Sequence, residues 1–343
     1  MRRKGKVTVA FSGGKDSTAA VLILRERGHD VRAVTMRLGT PFEKERLHRI
    51  HRLARHLDLP LQEEDLTAQF RRRVVSYFVR TYRRGGTPNP CAICNAAVKF
   101  GILRDRLGHL GADDAYATGH YAATAERNGA VFLIEPRERR KSQIYFLSLV
   151  GRARLQGSVF PLADHTLEEV RSMVDGLPLA DPKESQDVCF LQDVDLMAYL
   201  RRRTPELFRP GAILNTAGEV IGAHDGVVYF TIGQRRGIRF SSARKLYVVA
   251  KDVAANTITL GEDRDLHSES LDVAQPLLWR PLRVGETLTA KVRYQGRAAP
   301  VRIVRADRRR VSARFDAAVR AVTPGQIAVF YDGDLIAAAG RIV

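Results

Sequence analysis

Two cysteines stand three positions apart in TPNPCAICN (87–95), Cys91 and Cys94, and the third and last, Cys189, lies far downstream in QDVCF. Thiols at C-x-x-C spacing can ligate a soft metal, cycle as a redox pair, or do neither and lie buried. Three cysteines in 343 residues make no disulfide framework, so metal or sulfur chemistry accounts for them better than structural bridging. A second group with chemistry in it is FSGGKDS (11–17). Gly13 and Gly14 let the chain turn tightly and pass close to a ligand. Backbone N–H groups opening a helix there, with Ser12, Lys15 and Ser17 beside them, make an anion cradle. It is not a Walker A loop, because Val9 stands where that motif needs its first glycine and Asp16 follows the lysine in place of Ser or Thr. The bland alternative is an ordinary glycine-rich βα turn.

Something must hold these groups, and the first 120 residues supply it: short β-branched runs alternate with amphipathic ones, as in a parallel α/β sheet. The expected strands are 6–11, 30–36, 61–66 and 114–119. Leu47, Ile50, Leu53, Ala54 and Leu57 keep helical spacing, as do Phe70, Val74, Phe78 and Tyr82, and both stripes are expected as core faces. A helix is also expected over CNAAVKFGILRDRLGHL, with Val98, Ile102, Leu103 and Leu110 on one side, placing Cys94 near its N-terminus, where the dipole lowers a thiol pKa. From about residue 205 glycine-punctuated β runs replace the helices. Turns at Ala306-Asp307 and Asp332-Gly333 read as hairpins, and a C-terminal β-barrel fits. The expected division is an α/β catalytic domain over 1–204, a small β-rich central domain over 205–275 and a β-barrel over 276–343.

The chain is 45% hydrophobic and carries 56 Lys plus Arg against 38 Asp plus Glu, a net charge of +18 that favours a polyanionic partner, nucleic acid first. A basic surface of no special purpose explains the charge equally well. No window approaches a membrane span and the basic start lacks an apolar signal core, so a cytoplasmic protein with no membrane partner is expected.

A Ser-Gly-Gly-x-Asp-Ser loop after a strand resembles the PP-loop of the ATP pyrophosphatases (adenine nucleotide alpha hydrolase-like). Taken in order, SGGKDS, TPNPCAICN, ATGHYA, KSQIYFL, ESQDVCF, HDGVVYFTIGQRRGI, KVRYQG and VTPGQIAVFYDGD resemble the bacterial tRNA-specific 2-thiouridylases, the MnmA family, over nearly the whole chain. The resemblance implies an enzyme that adenylates O2 of the wobble uridine of tRNA with ATP and Mg²⁺ and replaces that oxygen with sulfur. It implies ATP contacts at Ala10, Phe11, Ser12, Gly13, Gly14, Lys15, Asp16 and Ser17, with Met36 and Gly119 near the nucleotide. It implies tRNA contacts, through the anticodon arm, at Asn89, Pro90, Cys91, Lys141, Ser142, Gln143, Arg293 and Tyr294. For Arg293-Tyr294 the plain alternative is opposite faces of one strand. His120 on its own reads as a core histidine at a strand end.

The resemblance also makes Cys189 the carrier of a persulfide, loaded by a sulfur donor protein, and Cys94 the thiol that releases product by forming a Cys94–Cys189 disulfide; hydrosulfide is the alternative sulfur source, bound by a cluster where one is used. Cys91 departs from the family pattern, which has Asp there, and so leaves an acid/base role at this position in doubt. If all three cysteines converge they can ligate three irons of a 4Fe-4S cluster, and such a cluster on Cys91, Cys94 and Cys189 is the expectation. Zinc lacks a fourth cysteine. Two competing functions remain: an amidating or ligating PP-loop enzyme, which has no use for the thiols, and a tRNA-binding homologue without chemistry.

Overall fold

The computed structural model describes residues 4–108, 114–179, 188–191 and 194–343, and the chain divides into two compact units. Unit one comprises Met1–Val74 and Cys91–Asp193; unit two comprises Val75–Pro90 and Val194–Val343.

In unit one the strands are β1 (Lys4–Ala10), β2 (His29–Arg37), β3 (Leu61–Asp65), β4 (Ala115–Thr118), a separate hairpin of β5 (Ala123–Arg127) and β6 (Ala130–Ile134), and β7 (Ser158–Val159). The sheet runs β3-β2-β1-β4-β7 with every pairing parallel. All four expected strands form, each within two residues of its expected ends. Parallel sheets are covered on both faces, and here Val7, Val9, Val31 and Ala33 are buried together with Ala20, Val21 and Leu24 of α1 (Lys15–Glu26) and Ile50, Leu53 and Ala54 of α2 (Glu43–His56). The other side of α1, Ala19 and Ile23, is buried against Tyr121, Leu162, Val170 and Val174. A helix clamped on two sides gives the loop at its N-terminus a fixed footing.

In unit two, β8 (Gly211–Leu214), β9 (Val220–His224), β10 (Tyr247–Asp252) and β11 (Thr257–Gly261) form a sheet ordered β10-β11-β8-β9, in which only β11 and β8 are parallel. Then β12 (His267–Leu278), β13 (Thr287–Lys291), β14 (Ala299–Ala306), β15 (Arg310–Arg320), β16 (Ile327–Asp332) and β17 (Leu335–Ile342) close into an antiparallel barrel, β12-β15-β14-β13-β16-β17. Closure leaves no free edge, and alternate residues such as Val301, Ile303, Val311, Ala313 and Phe315 fill the interior. Both expected hairpin turns are present between β14 and β15 and between β16 and β17; Asp307 makes the first by accepting the amides of Arg309 and Arg310.

The Phe70–Tyr82 stripe serves two cores. Phe70 meets Phe190 edge-on at 5.7 Å in unit one, and Phe78 meets Tyr82 at 5.0 Å and Tyr199 at 6.5 Å in unit two. The segment Val75–Pro90 is held in unit two by Tyr77, whose hydroxyl donates to the Gly325 carbonyl (3.2 Å), and by the Thr87 amide donating to the Pro324 carbonyl (2.9 Å).

Candidate active site

Leaving β1 at Ala10, the chain bonds the Phe11 amide to the Val34 carbonyl at 2.8 Å and turns through Gly13 at φ 75°. The turn is braced from inside. Ser12 and Ser17 hydroxyls lie 3.1 Å apart, and the hydroxyls of Ser17 and Thr18 donate to the Gly14 carbonyl at 3.1 and 2.9 Å. No side chain caps the start of α1, so its first amides are left for a ligand.

Two further segments are pressed onto this loop. Gly119, just past β4, runs so close that a Cβ would stand 2.6 Å from the Asp16 carbonyl carbon and the Ser17 nitrogen. Lys141 reaches Asp16 with its Nζ 3.1 Å from Oδ1 and lies over the Tyr121 ring. Gln143 holds Tyr121 twice: its side-chain oxygen accepts the Tyr121 amide (2.9 Å), and its own amide donates to the Tyr121 carbonyl (2.8 Å). Between them, Ser142 Oγ is buried without a hydrogen-bond partner among the described residues. Lys141 to Gln143, expected to face tRNA, therefore adjoin the phosphate loop.

The thiols lie in the same unit. A helix begins at Pro90, so Cys91 is in its first turn and Cys94 closes it, and from Asn95 to Leu103 the wind widens to π-helical. Gly101 leaves helical geometry inside this stretch (φ −94°, ψ −107°), at a place where a Cβ would come within 2.9 Å of the Ala96 carbonyl oxygen. Tyr116 of β4 donates its hydroxyl to the Lys99 carbonyl at 3.0 Å. In an α-helix a residue five positions on from Cys94 points away from it; the i→i+5 wind brings Lys99 back to that side. Lys99 is accordingly the cation felt by all three thiols and by His120.

Cys94 is buried, whereas Cys91 and Cys189 have exposed side chains, and all three are free thiols. Burial pushes Cys94 up to about 12, opposed by Lys99 and reinforced by Cys189 and Cys91. The expected lowering by a helix N-terminus is thus overturned: the helix starts four residues earlier, and desolvation of the thiolate outweighs any dipole. Cys91 and Cys189, although exposed by surface area, are flanked densely enough that desolvation also raises their thiols. Cys189 sits in a short 3-10 turn, Cys189–Leu191, anchored by Phe190 on Phe70; residues 184–187 of ESQDVCF, like Leu110, lie outside the described residues.

Arg46 of α2, which no motif singled out, joins the two groups. Its guanidinium donates to the Met36 carbonyl at 2.9 Å and interacts electrostatically with Cys189. His120 is buried with Nδ1 2.8 Å from the Thr118 hydroxyl; burial, then Lys99, holds its pKa well below the ordinary value, so it is a neutral imidazole. Asn95 is tied by its side chain to the Phe146 carbonyl at 3.0 Å.

The three thiols are electrostatic neighbours, but among the described residues no three His, Cys, Asp or Glu side chains are placed to hold a metal ion. That finding concerns a single ion, and a 4Fe-4S cluster on Cys91, Cys94 and Cys189 is not shown. Asn89 and Pro90 belong to unit two, as do Arg293 and Tyr294. These last lie beyond the end of β13 in the connection to β14, so they are not neighbours on a strand; the Lys291 ammonium stands 5.9 Å from the Tyr294 ring centroid.

Family models described as "tRNA methyl transferase HUP domain", "tRNA methyl transferase PRC-barrel domain" and "Aminomethyltransferase beta-barrel domain" match residues 5–193, 198–262 and 276–342. The tRNA-specific 2-thiouridylase MnmA of Aquifex aeolicus is 37% identical, covering 98% of this chain and 98% of its own. That of Syntrophotalea carbinolica is 39% identical over 100% of both. The chain belongs to the MnmA family. Within that family the phosphate loop and the thiols acquire a common purpose. Among the described residues no helix is long and apolar enough to cross a membrane.

Proposed function

We propose that this chain is a tRNA-uridine 2-sulfurtransferase, which converts the wobble uridine to 2-thiouridine with release of AMP and pyrophosphate. The observation that carries the reading is the placement of a braced, uncapped phosphate loop and three mutually interacting thiols in one compact unit, with Arg46 touching both the Met36 carbonyl and the field of Cys189.

Uracil O2 is a poor leaving group until it attacks the α-phosphorus of ATP and pyrophosphate departs. Lys15 and the loop amides from Ser12 to Ser17 are suited to hold that pyrophosphate, and Gly119 lets the next segment approach without a side chain in the way. Asp16, which pairs with Lys141 here, would be the residue to hold a magnesium ion, and that ion would supply charge neutralisation on the phosphates. Cys189, the persulfide carrier by resemblance, is exposed, as Cys91 is, and a sulfur donor protein can reach it; its thiolate takes the outer sulfur of the donor's persulfide, and the donor's thiolate leaves. That sulfur attacks C2, and AMP leaves with the former O2. The Cys94 thiolate then attacks Cys189 Sγ, the adduct's S–S bond breaks, its electrons pass to the sulfur on C2, and a Cys94–Cys189 disulfide remains for a dithiol to reduce. Lys99 favours the anionic sulfur at each of these positions. No step here uses a cluster.

The division into 1–204, 205–275 and 276–343 is kept as the functional one, with Asn89, Pro90, Arg293 and Tyr294 on the RNA side. Methyl transfer, which the matching model's description names, has no use for a pyrophosphate loop beside three thiols. The test is tRNA-dependent conversion of ATP to AMP together with mass analysis of nucleosides from the digested tRNA. Cys189→Ser is expected to retain AMP formation and to lose 2-thiouridine. A protein with all three cysteines replaced by serine that still completes its reaction would instead support an amidating or ligating enzyme.

A further inference from the structure

Unit two contains a cleft of about 200 Å³ between the helix Ser76–Arg83 and the far ends of the barrel, lined by Tyr77, Arg80, Arg84, Gly86, Gly325 and Arg341 among others. It is smaller than pockets that enclose a drug-sized ligand, which begin at about 300 Å³. Its lining carries three guanidinium groups and no carboxylate side chain; the main-chain carboxylate of Val343 also lies in it, without an ion pair to the arginines among the described residues. Among the described residues no acid pairs with Arg80, Arg84 or Arg341, whereas Arg83 on the same helix is paired with Glu206 at 3.0 Å. Arg80 lies in the helix and Arg84, four positions on, is its C-cap residue, so that like charges one turn apart repel. The helix C-terminus eases part of that repulsion but has no bearing on Arg341, which arrives from β17.

The walls are fixed. Gly325 has φ 92°, and a Cβ there would stand 2.7 Å from Thr81 Cγ2 and 2.9 Å from the Thr87 nitrogen. The Gly325 amide donates to the Ile342 carbonyl at 2.9 Å, and Tyr77 closes the floor through the Gly325 carbonyl. The same Tyr77 hydroxyl accepts the Asn89 amide at 3.3 Å, so the cleft shares a residue with a segment at which tRNA contact is expected.

We propose that this arginine cleft binds a backbone phosphate of the tRNA. Three forked donors on a preorganised floor match a phosphodiester, and the repulsion among them is relieved when the anion is seated. The proposal rests on the tRNA-thiolating reading of the active site.

Binding of unmodified tRNA to the full-length protein, followed over a range of salt concentrations, tests it. Arg80→Gln/Arg84→Gln and, separately, Arg341→Gln are compared with Arg283→Gln/Arg308→Gln, which removes equal charge from exposed sites outside the cleft. The double cleft variant is expected to bind at least ~10-fold more weakly, with a log–log salt slope reduced by roughly 0.7–0.9 for the one lost phosphate contact. Its affinity for ATP is expected to be unchanged, and Arg80→Lys/Arg84→Lys, which keeps charge and fold, should retain most of the slope. A cleft variant whose affinity and slope equal those of the control pair overturns the proposal. So does loss of binding to inorganic phosphate or pyrophosphate with tRNA affinity intact, which would make this a site for a free anion. Failure of the wild-type protein to thiolate a tRNA it binds would count against the functional reading and leave the cleft result standing on its own.

Discussion

Replacing Gly119 by alanine probes the phosphate loop without touching any group that bonds a ligand. The new Cβ would stand 2.6 Å from two backbone atoms of Asp16 and Ser17, about 0.8 Å short of an ordinary 3.4 Å contact. Both sides of the clash are main chain, so no rotamer change relieves it. Overpacking of this kind costs about 1–3 kcal/mol, which in a unit of this size lowers Tm by several degrees. The loop is the cheaper side to move, because α1 behind it is buried on two faces. A shift approaching 1 Å in groups that position a reacting phosphate costs on the order of 100-fold in rate. Gly119→Ala is therefore expected to remain folded at 25 °C, to lose about two orders of magnitude in tRNA-dependent AMP formation and to lose most of the stabilisation that ATP confers on the wild type. Gly129→Ala, in the turn between β5 and β6 with open space around it, bears only the strain of its φ of 70° and serves as the control. If Gly119→Ala retains wild-type ATP stabilisation and turnover, the close approach does not position the loop and the argument fails.

Thiol reactivity follows from burial: in native protein at pH 8, iodoacetamide should modify Cys91 and Cys189 and spare Cys94, which becomes reactive only in denaturant; early labelling of Cys94, read by peptide mass, contradicts its thiol lying near 12. Lys99→Met removes the cation that lowers all three thiols, so alkylation of Cys91 and Cys189 at fixed pH should slow and its pH profile move upward, with Lys99→Arg restoring it; an unchanged profile would detach Lys99 from the thiols. His120 is held neutral in the fold, so its contribution to stability is complete above the unfolded value near 6.5 and is lost as pH falls below that toward its depressed folded value. The urea midpoint should drop between pH 7 and 5, and less steeply in His120→Asn; parallel curves would refute the assignment.

Much of the frame was legible because its signals are local. Val7 and Val9 alternate, Ile50, Leu53 and Ala54 repeat at helical spacing, and a glycine pair ends a strand; each pattern depends on neighbours in sequence, and each element formed where expected. What escaped notice depends on distant partners. Lys99 looks like one more surface lysine until Gly101 and the Tyr116 hydroxyl widen the helix and turn it toward Cys94; the lone glycine in a helical run was the available hint. Cys94 was misjudged because helix polarity can be read from sequence and desolvation cannot. Arg46 gave no signal, since its partners Met36 and Cys189 come from a neighbouring strand and a remote turn. Gly119 was expected near the nucleotide only by resemblance, and the backbone crossing that excludes a Cβ supplies the physical reason.

The hydroxyl of Tyr77 is bonded to a carbonyl 248 residues later, and Thr87 receives the side chain of Gln326 across 239. On a ribosome, the stretch leading into the helix that carries Cys91 and Cys94 is made early and finds these partners only when the last two barrel strands emerge. Contacts of such sequence separation form slowly and late. A nascent or truncated chain can therefore assemble β1, α1 and the phosphate loop while Tyr77 and Asn89 still lack their anchor. Synthesis order alone then leaves the Tyr77–Asn89 segment without its anchors until the last two barrel strands have been made.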